Sequence, residues 1–313
     1  MGTTCMATLG RKNVLAGNVL TAARYAQRAA PEYFRRYREE RRCAVPPAPL
    51  TPHPNRWADT GLHAAWLGHS TVLLKIDGFT ILTDPILGER CGPRVGPVTV
   101  GPRRLVAPAV SRPQLPHIDL ILLSHAHFDH FDMATLRGLE REGTAVVTAK
   151  YTTDLLRPRR YQSVQEVGWG ERVRVGPLSI LGIPVKHWGA RLHSDVHRGY
   201  NGYLIESGRY RVVFGGDTAI TDSFKSVRAK KPVDLAILPV GAYDPWIRMH
   251  CNPEQAWRMG EDCGAECLLP VHHQTFRLSR DPYLEPVERF LAAAGAHSDR
   301  VIATRVGHEW SLK

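Results

Sequence analysis

From Gly61 onward the chain consists of short apolar runs separated by turn residues. Residues 64–67, 71–76 and 79–83 are three such runs, and Asp77-Gly78 between the last two is a two-residue hairpin signal. They predict three adjacent antiparallel strands. Residues 118–124 read as a largely apolar strand, followed by a helix from about Met133 to Glu142 and a strand over 145–148. Further strands are predicted at 172–175, 178–185, 202–206, 210–214, 235–239, 267–270 and 301–305, with helices near 253–263 and 286–294. The order is antiparallel strands followed by strand–helix alternation, twice over, without a close internal repeat. Two sheets flanked by helices accommodate it.

The breakers divide the rest. Residues 88–116 carry so many glycines and prolines that they predict a long surface loop, and long ordered loops in compact domains are often functional. Pro46, Pro47, Pro49, Pro52 and Pro54 deny residues 44–60 a helix or central strand, so this stretch reads as a linker over the surface. Ahead of it, residues 13–30 are Ala-rich with weak helical spacing, and Pro31 opens a second, charged helical stretch. The plan is a basic helical leader at 1–43, a Pro-rich linker at 44–60 and a catalytic domain at 61–313.

Composition narrows the class. Hydrophobic residues at 43% and charged ones at 23% suit a soluble globular protein, and no run approaches the roughly 20 apolar residues a membrane span needs. More than half of the net charge of +11 lies in residues 1–42, where nine Lys/Arg face three acids. That leader reads first as a solvated helix and second as a docking surface for anionic membrane. With no interleaved aromatic recognition motif and less than half of the basic excess in the domain, nucleic acid is not an expected partner. The six cysteines form no CxxC pair and read as reduced thiols. The twin arginines at 35–36 and 41–42 lack a following apolar export region, so a cytoplasmic protein is expected.

The chemistry gathers at His125-Ala126-His127-Phe128-Asp129-His130, directly after an apolar strand. Four ligand-type side chains in six positions supply imidazole nitrogens and a carboxylate suited to Zn²⁺. His187, Asp217 and His272 each follow another predicted strand, and strand ends on one sheet edge converge in space. Seven ligands would fill two metal sites. His63 and His69 are read as structural histidines.

This ordered set resembles the metallo-β-lactamase superfamily, whose fold is an αββα four-layer sandwich of two mixed sheets flanked by helices. Trp66-Leu67-Gly68-His69-Ser70-Thr71, Leu82-Thr83-Asp84-Pro85, Gly241-Ala242-Tyr243-Asp244-Pro245 and the stretch from His250 to Ala256 are similar to the N-acylphosphatidylethanolamine-hydrolysing phospholipase D group and its bacterial relatives. The similarity covers about residues 60–290. It implies that His125, His127 and His187 hold one zinc and Asp129, His130 and His272 a second, with Asp217 and a hydroxide bridging both. Asp129 would also orient that hydroxide. It further implies a supporting carboxylate at Asp84, next to a ligand histidine, and a substrate-side histidine at His250 that contacts phosphate or protonates the leaving alkoxide. Where the group typically has Trp and Gly after the last ligand, this chain has His273 and Gln274, so His273 competes with His272, which is preferred.

The reading that follows is a zinc-dependent phosphodiesterase of phospholipase D type acting on phospholipid, cytoplasmic or peripheral at the inner membrane face. Other electrophiles on the same metals, a lactone, another carbonyl ester or a nucleotide phosphodiester, are the alternative, since fold alone does not separate them. A non-catalytic nucleic-acid- or membrane-binding protein is the alternative of another class. The parts of His193 and His197, and whether two copies pair, are left open.

Overall fold

The computed structural model describes residues 35, 37–156, 160–192, 194–228 and 231–312. The leader up to residue 34 and His193 lie outside the described residues. Among the described residues, those up to Val45 form one unit, in which Tyr37–Arg41 are helical, and those from Pro46 onward form another. Among the described residues no helix is long and apolar enough to cross a membrane.

The larger unit holds two main sheets. The first contains β1 (Leu62–Gly68), β2 (Thr71–Ile76), β3 (Phe79–Thr83), β6 (Leu120–Leu123), β7 (Ala145–Ala149), β8 (Ser163–Val167) and β15 (Glu309–Leu312). Its order is β15-β1-β2-β3-β6-β7-β8. The second contains β9 (Arg172–Val175), β10 (Leu178–Ile183), β11 (Gly202–Glu206), β12 (Arg211–Phe214), β13 (Val233–Pro239) and β14 (Ala265–Val271). Its order is β14-β13-β12-β11-β10-β9. In both, antiparallel pairing gives way to parallel: β1 to β3 are antiparallel and β3-β6-β7-β8 parallel, β9 to β12 antiparallel and β12-β13-β14 parallel. The doubling read from the order of runs is therefore physical.

Local chemistry explains the elements. Asp77 and Gly78, both at positive φ (45° and 88°), close the β2–β3 hairpin with the twist such a turn requires. Helix α1 (Met133–Leu139) starts at Asp132, whose carboxylate accepts from the Ala134 and Thr135 amides, and it stops short of the expected Glu142 because Glu140 turns extended. Helix α2 (Thr153–Leu156) is a single turn. Helix α3 (Pro253–Cys263) has a reciprocal Asn252/Gln255 capping box, Pro253 in its first turn and Gly264 in the left-handed conformation at its end. Helix α4 (Glu285–Ala294) follows without a side-chain cap.

Alternation along β13 sorts the layers. Leu235 and Ile237 join a core that also holds Leu74, Leu120 and Phe214, while Ala236 and Leu238 pack with Met259 of α3 and Phe290 of α4 on the other face. Leu136 and Leu139 of α1 and Leu156 of α2 belong to the first core.

At four places the structure differs from or adds to the expected elements. The strand expected at 301–305 does not form: Val301 makes one isolated bridge to Leu268, and Ala303 then adopts φ 55°, which breaks an extended run. Strands β8 and β15 were not anticipated, because both are edge strands with little full burial and weak alternation. The loop over 88–116 contains a short hairpin, β4 (Arg94–Val95) with β5 (Val98–Thr99). Residues 46–60, read as a linker, are bonded onto the larger unit: the Ala107 amide donates to Pro46 O, the Leu50 amide to Val306 O, and Trp57 Nε1 to Glu309.

Candidate metal centre

Strands β1, β3 and β6 run in one direction within the first sheet, and β10, β12 and β14 in one direction within the second, so six ends meet at one edge. There β1 delivers His69, β3 delivers Asp84, β6 the run 125–130, β10 leads to His187, β12 to Asp217 and β14 to His272. Burial of the four β6 side chains is worth roughly 1.5–3 kcal/mol each, which offsets strain of about 1–3 kcal/mol at each left-handed non-glycine residue nearby. His69, Asp84 and His272 are such residues, with φ of 53°, 32° and 65°. Gly216, at φ 57°, lets β12 close onto β6: a Cβ there would stand 2.7 Å from Asn201 O and 2.8 Å from Ser124 Cβ.

The ligand-type atoms form two adjoining groups. In the first, His127 Nδ1 is 2.8 Å from His125 Nε2 and 3.2 Å from His187 Nε2. In the second, Asp129 Oδ2 is 3.3 Å from His130 Nε2, 3.4 Å from His272 Nε2 and 2.9 Å from His69 Nε2. Asp217 Oδ2 stands between them, 3.1 Å from His130 Nε2, 3.2 Å from His272 Nε2, 3.8 Å from His187 Nε2 and 4.0 Å from His125 Nε2. His250 Nδ1 lies 3.9 Å from the same oxygen.

The outer nitrogens settle the tautomers. His187 Nδ1 donates to Met249 O at 3.0 Å and His130 Nδ1 to Asp84 Oδ2 at 2.7 Å. Ser124 Oγ gives its proton to Asp84 Oδ2 at 2.5 Å and accepts from His125 Nδ1 at 2.8 Å, while the Ser124 amide donates to Asp84 Oδ1 at 2.7 Å. Three imidazoles therefore aim Nε2 lone pairs inward, the arrangement that holds metal-ligating histidines.

Electrostatics agree with a cation at the centre. Burial pulls His125 and His187 well below the usual imidazole range, so they are neutral donors. For His130 and His272 burial acts in the same sense but is outweighed by Asp217 and Asp129, which raise His130 well above its ordinary value and His272 to about 9. Both carboxylates, against the opposing effect of burial, are held well below the ordinary range by His130 and its neighbours. Asp84 is raised by its burial.

The donor set fits metal ions. His130 Nε2, His272 Nε2, His250 Nδ1 and Asp217 Oδ1 face the cluster, buried without a hydrogen-bond partner, an expensive condition for polar atoms unless they serve an ion. Ligands about 2.05 Å from a tetrahedral zinc stand about 3.3 Å apart. The separations of 3.1–3.4 Å in the second group and 3.2 Å between His127 and His187 match that edge.

All seven expected ligand residues, Asp84 and His250 come together here. His272 faces the cluster, whereas His273 turns away, its ring 4.4 Å from that of Trp66 and its Nε2 3.3 Å from Pro270 O. His63 bonds Ser311 Oγ and Thr60 O at the β1–β15 edge, and exposed His197 meets the Tyr151 ring. The structural reading of His69 is corrected: it is buried inside the cluster beside Asp129. Its signal was a histidine after Gly68 at a strand end, the same signal used for the other ligands. Sequence reading also missed Ser124, Trp188, whose ring is 4.2 Å from that of His187, and Arg191. Arg191 donates to Ala126 O and Phe131 O with its guanidinium 3.9 Å above the Phe128 ring, pinning the ligand loop.

A cleft of about 260 Å³ opens beside His272, with Leu105, Phe276, Leu278 and Tyr283 in its walls. A larger recess of about 970 Å³, with Arg112, His117, Arg141 and Arg160 among its walls, lies before β6 and β7 at the opposite edge and contains none of the cluster.

Comparison with known proteins gives the same direction. The β-lactamase superfamily domain model matches residues 80–273. An uncharacterized protein of Mycobacterium tuberculosis is 38% identical over 257 residues, spanning 79% of this chain and 68% of that protein. The N-acyl-phosphatidylethanolamine-hydrolyzing phospholipase D 1 of Caenorhabditis elegans is 30% identical over 263 residues, 77% of this chain and 72% of that protein. In fold the chain is similar to Igni18, a metallo hydrolase of the archaeon Ignicoccus hospitalis, with TM-score 0.60 and 19% identity over 81% of this chain and 99% of that one.

Proposed function

The chain belongs to the metallo-β-lactamase superfamily as a metal-dependent hydrolase, and on that premise we propose that it is a two-zinc phosphodiesterase of phospholipase D type acting on N-acylphosphatidylethanolamine-like phospholipids. His125, His127 and His187 would hold one ion, Asp129, His130 and His272 the other, with Asp217 shared. All-nitrogen-and-oxygen donors of this kind suit zinc. Such a pair supplies Lewis acidity toward a phosphoryl oxygen and lowers the pKa of water.

The chain's own groups do the rest. Asp129 and Asp217 are carboxylates held ionised in a buried site, so they leave a metal-loaded centre with room for one anionic ester. His250 offers a buried, unpartnered Nδ1 3.9 Å from Asp217 Oδ2, placed to meet a phosphoryl or leaving-group oxygen.

The observation that carries the lipid assignment is the apolar rim on the ligands themselves. Trp188, its ring 4.5 Å from that of His127 and 4.2 Å from that of His187, is exposed, as are Trp246, Ile247 and Met249 in the turn that ends at His250. Large apolar groups exposed together mark a binding surface. A soluble phosphodiester needs no such rim; a lipid ester reached at a bilayer surface does. The relationship to the Caenorhabditis elegans enzyme supports the same substrate class.

The test uses zinc-loaded protein against N-acylphosphatidylethanolamine in vesicles, bis-p-nitrophenyl phosphate and a lactone panel. Both phosphodiesters should be cleaved. The pair Trp246→Ser and Ile247→Ser should lower vesicle turnover by about tenfold or more, the loss expected of about two exposed anchors, and leave the soluble diester nearly unchanged. Lactone turnover without phosphodiester turnover would overturn the assignment.

A further inference from the structure

We propose that His69 is the positioning residue of Asp129: its Nε2–H holds the carboxylate in the orientation that serves the second metal. The proposal rests on the two-metal reading above and concerns a residue outside the seven ligands.

The β1–β2 turn is built to aim this side chain. His69 sits at φ 53°, a left-handed conformation that a side-chain-bearing residue adopts only when its surroundings enforce it. Three backbone bonds do so: its amide donates to Thr275 Oγ1 at 2.7 Å, and its carbonyl accepts from Trp66 Nε1 at 2.7 Å and from the His272 amide at 3.1 Å. The turn is thereby fastened to the segment that carries His272. The two rings lie 4.2 Å apart, and the Phe276 ring meets His69 edge-on at 5.3 Å.

The result is a contact of 2.9 Å between His69 Nε2 and Asp129 Oδ2, the shortest of the three imidazole approaches to that oxygen. The other two, from His130 and His272, come from nitrogens assigned to the metal. His130 has already placed its proton on the outer side, toward Asp84. With those lone pairs directed at an ion, His69 remains the N–H donor on Oδ2. Without it the carboxylate is free to turn about its Cβ–Cγ bond, and the second ion loses a fixed ligand; the first group, around His127, contains no contact to His69.

The experiment compares wild type, His69→Leu and His69→Gln, the last able to put an amide N–H where Nε2 stands. Co²⁺ alone is titrated into apo-protein, with bound equivalents and the Co²⁺ absorption spectrum as readouts and circular dichroism as the fold check. Wild type is expected to take two equivalents. His69→Leu should bind the second about 10–100-fold more weakly, as loss of a supporting hydrogen bond does, with the first unchanged. His69→Gln should recover most of that loss. Unchanged binding in His69→Leu, or no recovery in a folded His69→Gln, overturns the proposal. If His69→Leu does not fold, His69→Gln decides: near-wild-type affinity supports the hydrogen bond and loss of the second ion refutes it. A wild type that binds one equivalent refutes the two-metal reading instead, and His69 is then judged on that one ion by the same pattern: weakening in His69→Leu with recovery in His69→Gln supports its role, and any other pattern refutes it.

Discussion

In one group of the cluster His130 meets Asp84 directly, Nδ1 to Oδ2 at 2.7 Å; in the other His125 reaches the same carboxylate through the Ser124 hydroxyl, by steps of 2.8 and 2.5 Å. The groups differ in charge as well. His125, His127 and His187 have no carboxylate of their own and are left neutral by burial, whereas His130 and His272 share Asp129 and Asp217 and are drawn toward the cationic form. One member of the neutral set, His125, is oriented through a neutral hydroxyl, and one member of the set that must balance carboxylates, His130, is braced by a carboxylate. One buried residue outside the ligand set thus governs both orientations with different strengths.

The most severe way to break this comparison is Asp217→Ala. Asp217 Oδ2 is the atom common to both groups, 3.1–4.0 Å from four of the histidine nitrogens. The variant should lose about one metal equivalent and nearly all hydrolysis, read by metal analysis of the dialysed protein beside an activity assay. Two retained equivalents would show that the groups do not share this ligand.

Next in size is Asp84→Asn. Asparagine tolerates the left-handed backbone at φ 32°, but it brings a donor where the Ser124 amide, the Ser124 hydroxyl and His130 all donate. Donor against donor leaves at least one buried group unsatisfied, at about 1–3 kcal/mol, visible as a lower Tm. Metal affinity should fall by about 10–100-fold, in the His130 group more than in the His125 group. A loss confined to the His125 group would reverse the comparison.

How much of this was legible in sequence follows from what each residue depends on. The run 125–130 announces itself because four ligand types crowd one strand end, and His187, Asp217 and His272 because each follows an apolar run. His69 follows such a run too, yet it stands alone, and only the fold brings it to Asp129 across sixty positions. Ser124 is a serine beside a histidine in sequence; its value as a relay comes from Asp84, forty positions away. Likewise β8 and β15 escaped the hydrophobic pattern since an edge strand is specified by its neighbour's open hydrogen-bonding row more than by its own side chains. Periodicity and local crowding are visible along the chain, whereas coupling between distant strand ends is set by topology.

Ser124→Ala is the smallest change and the sharpest probe of the two modes of support. It removes one oxygen and keeps the amide bond from Ser124 N to Asp84 Oδ1, so the carboxylate stays placed for His130. His125 Nδ1, in a ring 1% exposed, loses its acceptor. The backbone of Gly216 closes on this spot, since a Cβ there would lie 2.8 Å from Ser124 Cβ and 3.3 Å from Oγ, and a hole of one oxygen is smaller than the ≈ 30 Å³ a water occupies in the liquid. No solvent molecule replaces the relay. The expected outcome is about a 10-fold weaker first Co²⁺ site, an unchanged second site, and about 1 kcal/mol less stability. Titration of the variant beside Asp84→Asn separates the modes: weakening of both ions alike would mean that the hydroxyl braces Asp84 for the whole cluster, and the two groups would then be one coupled unit instead of a direct and a relayed half.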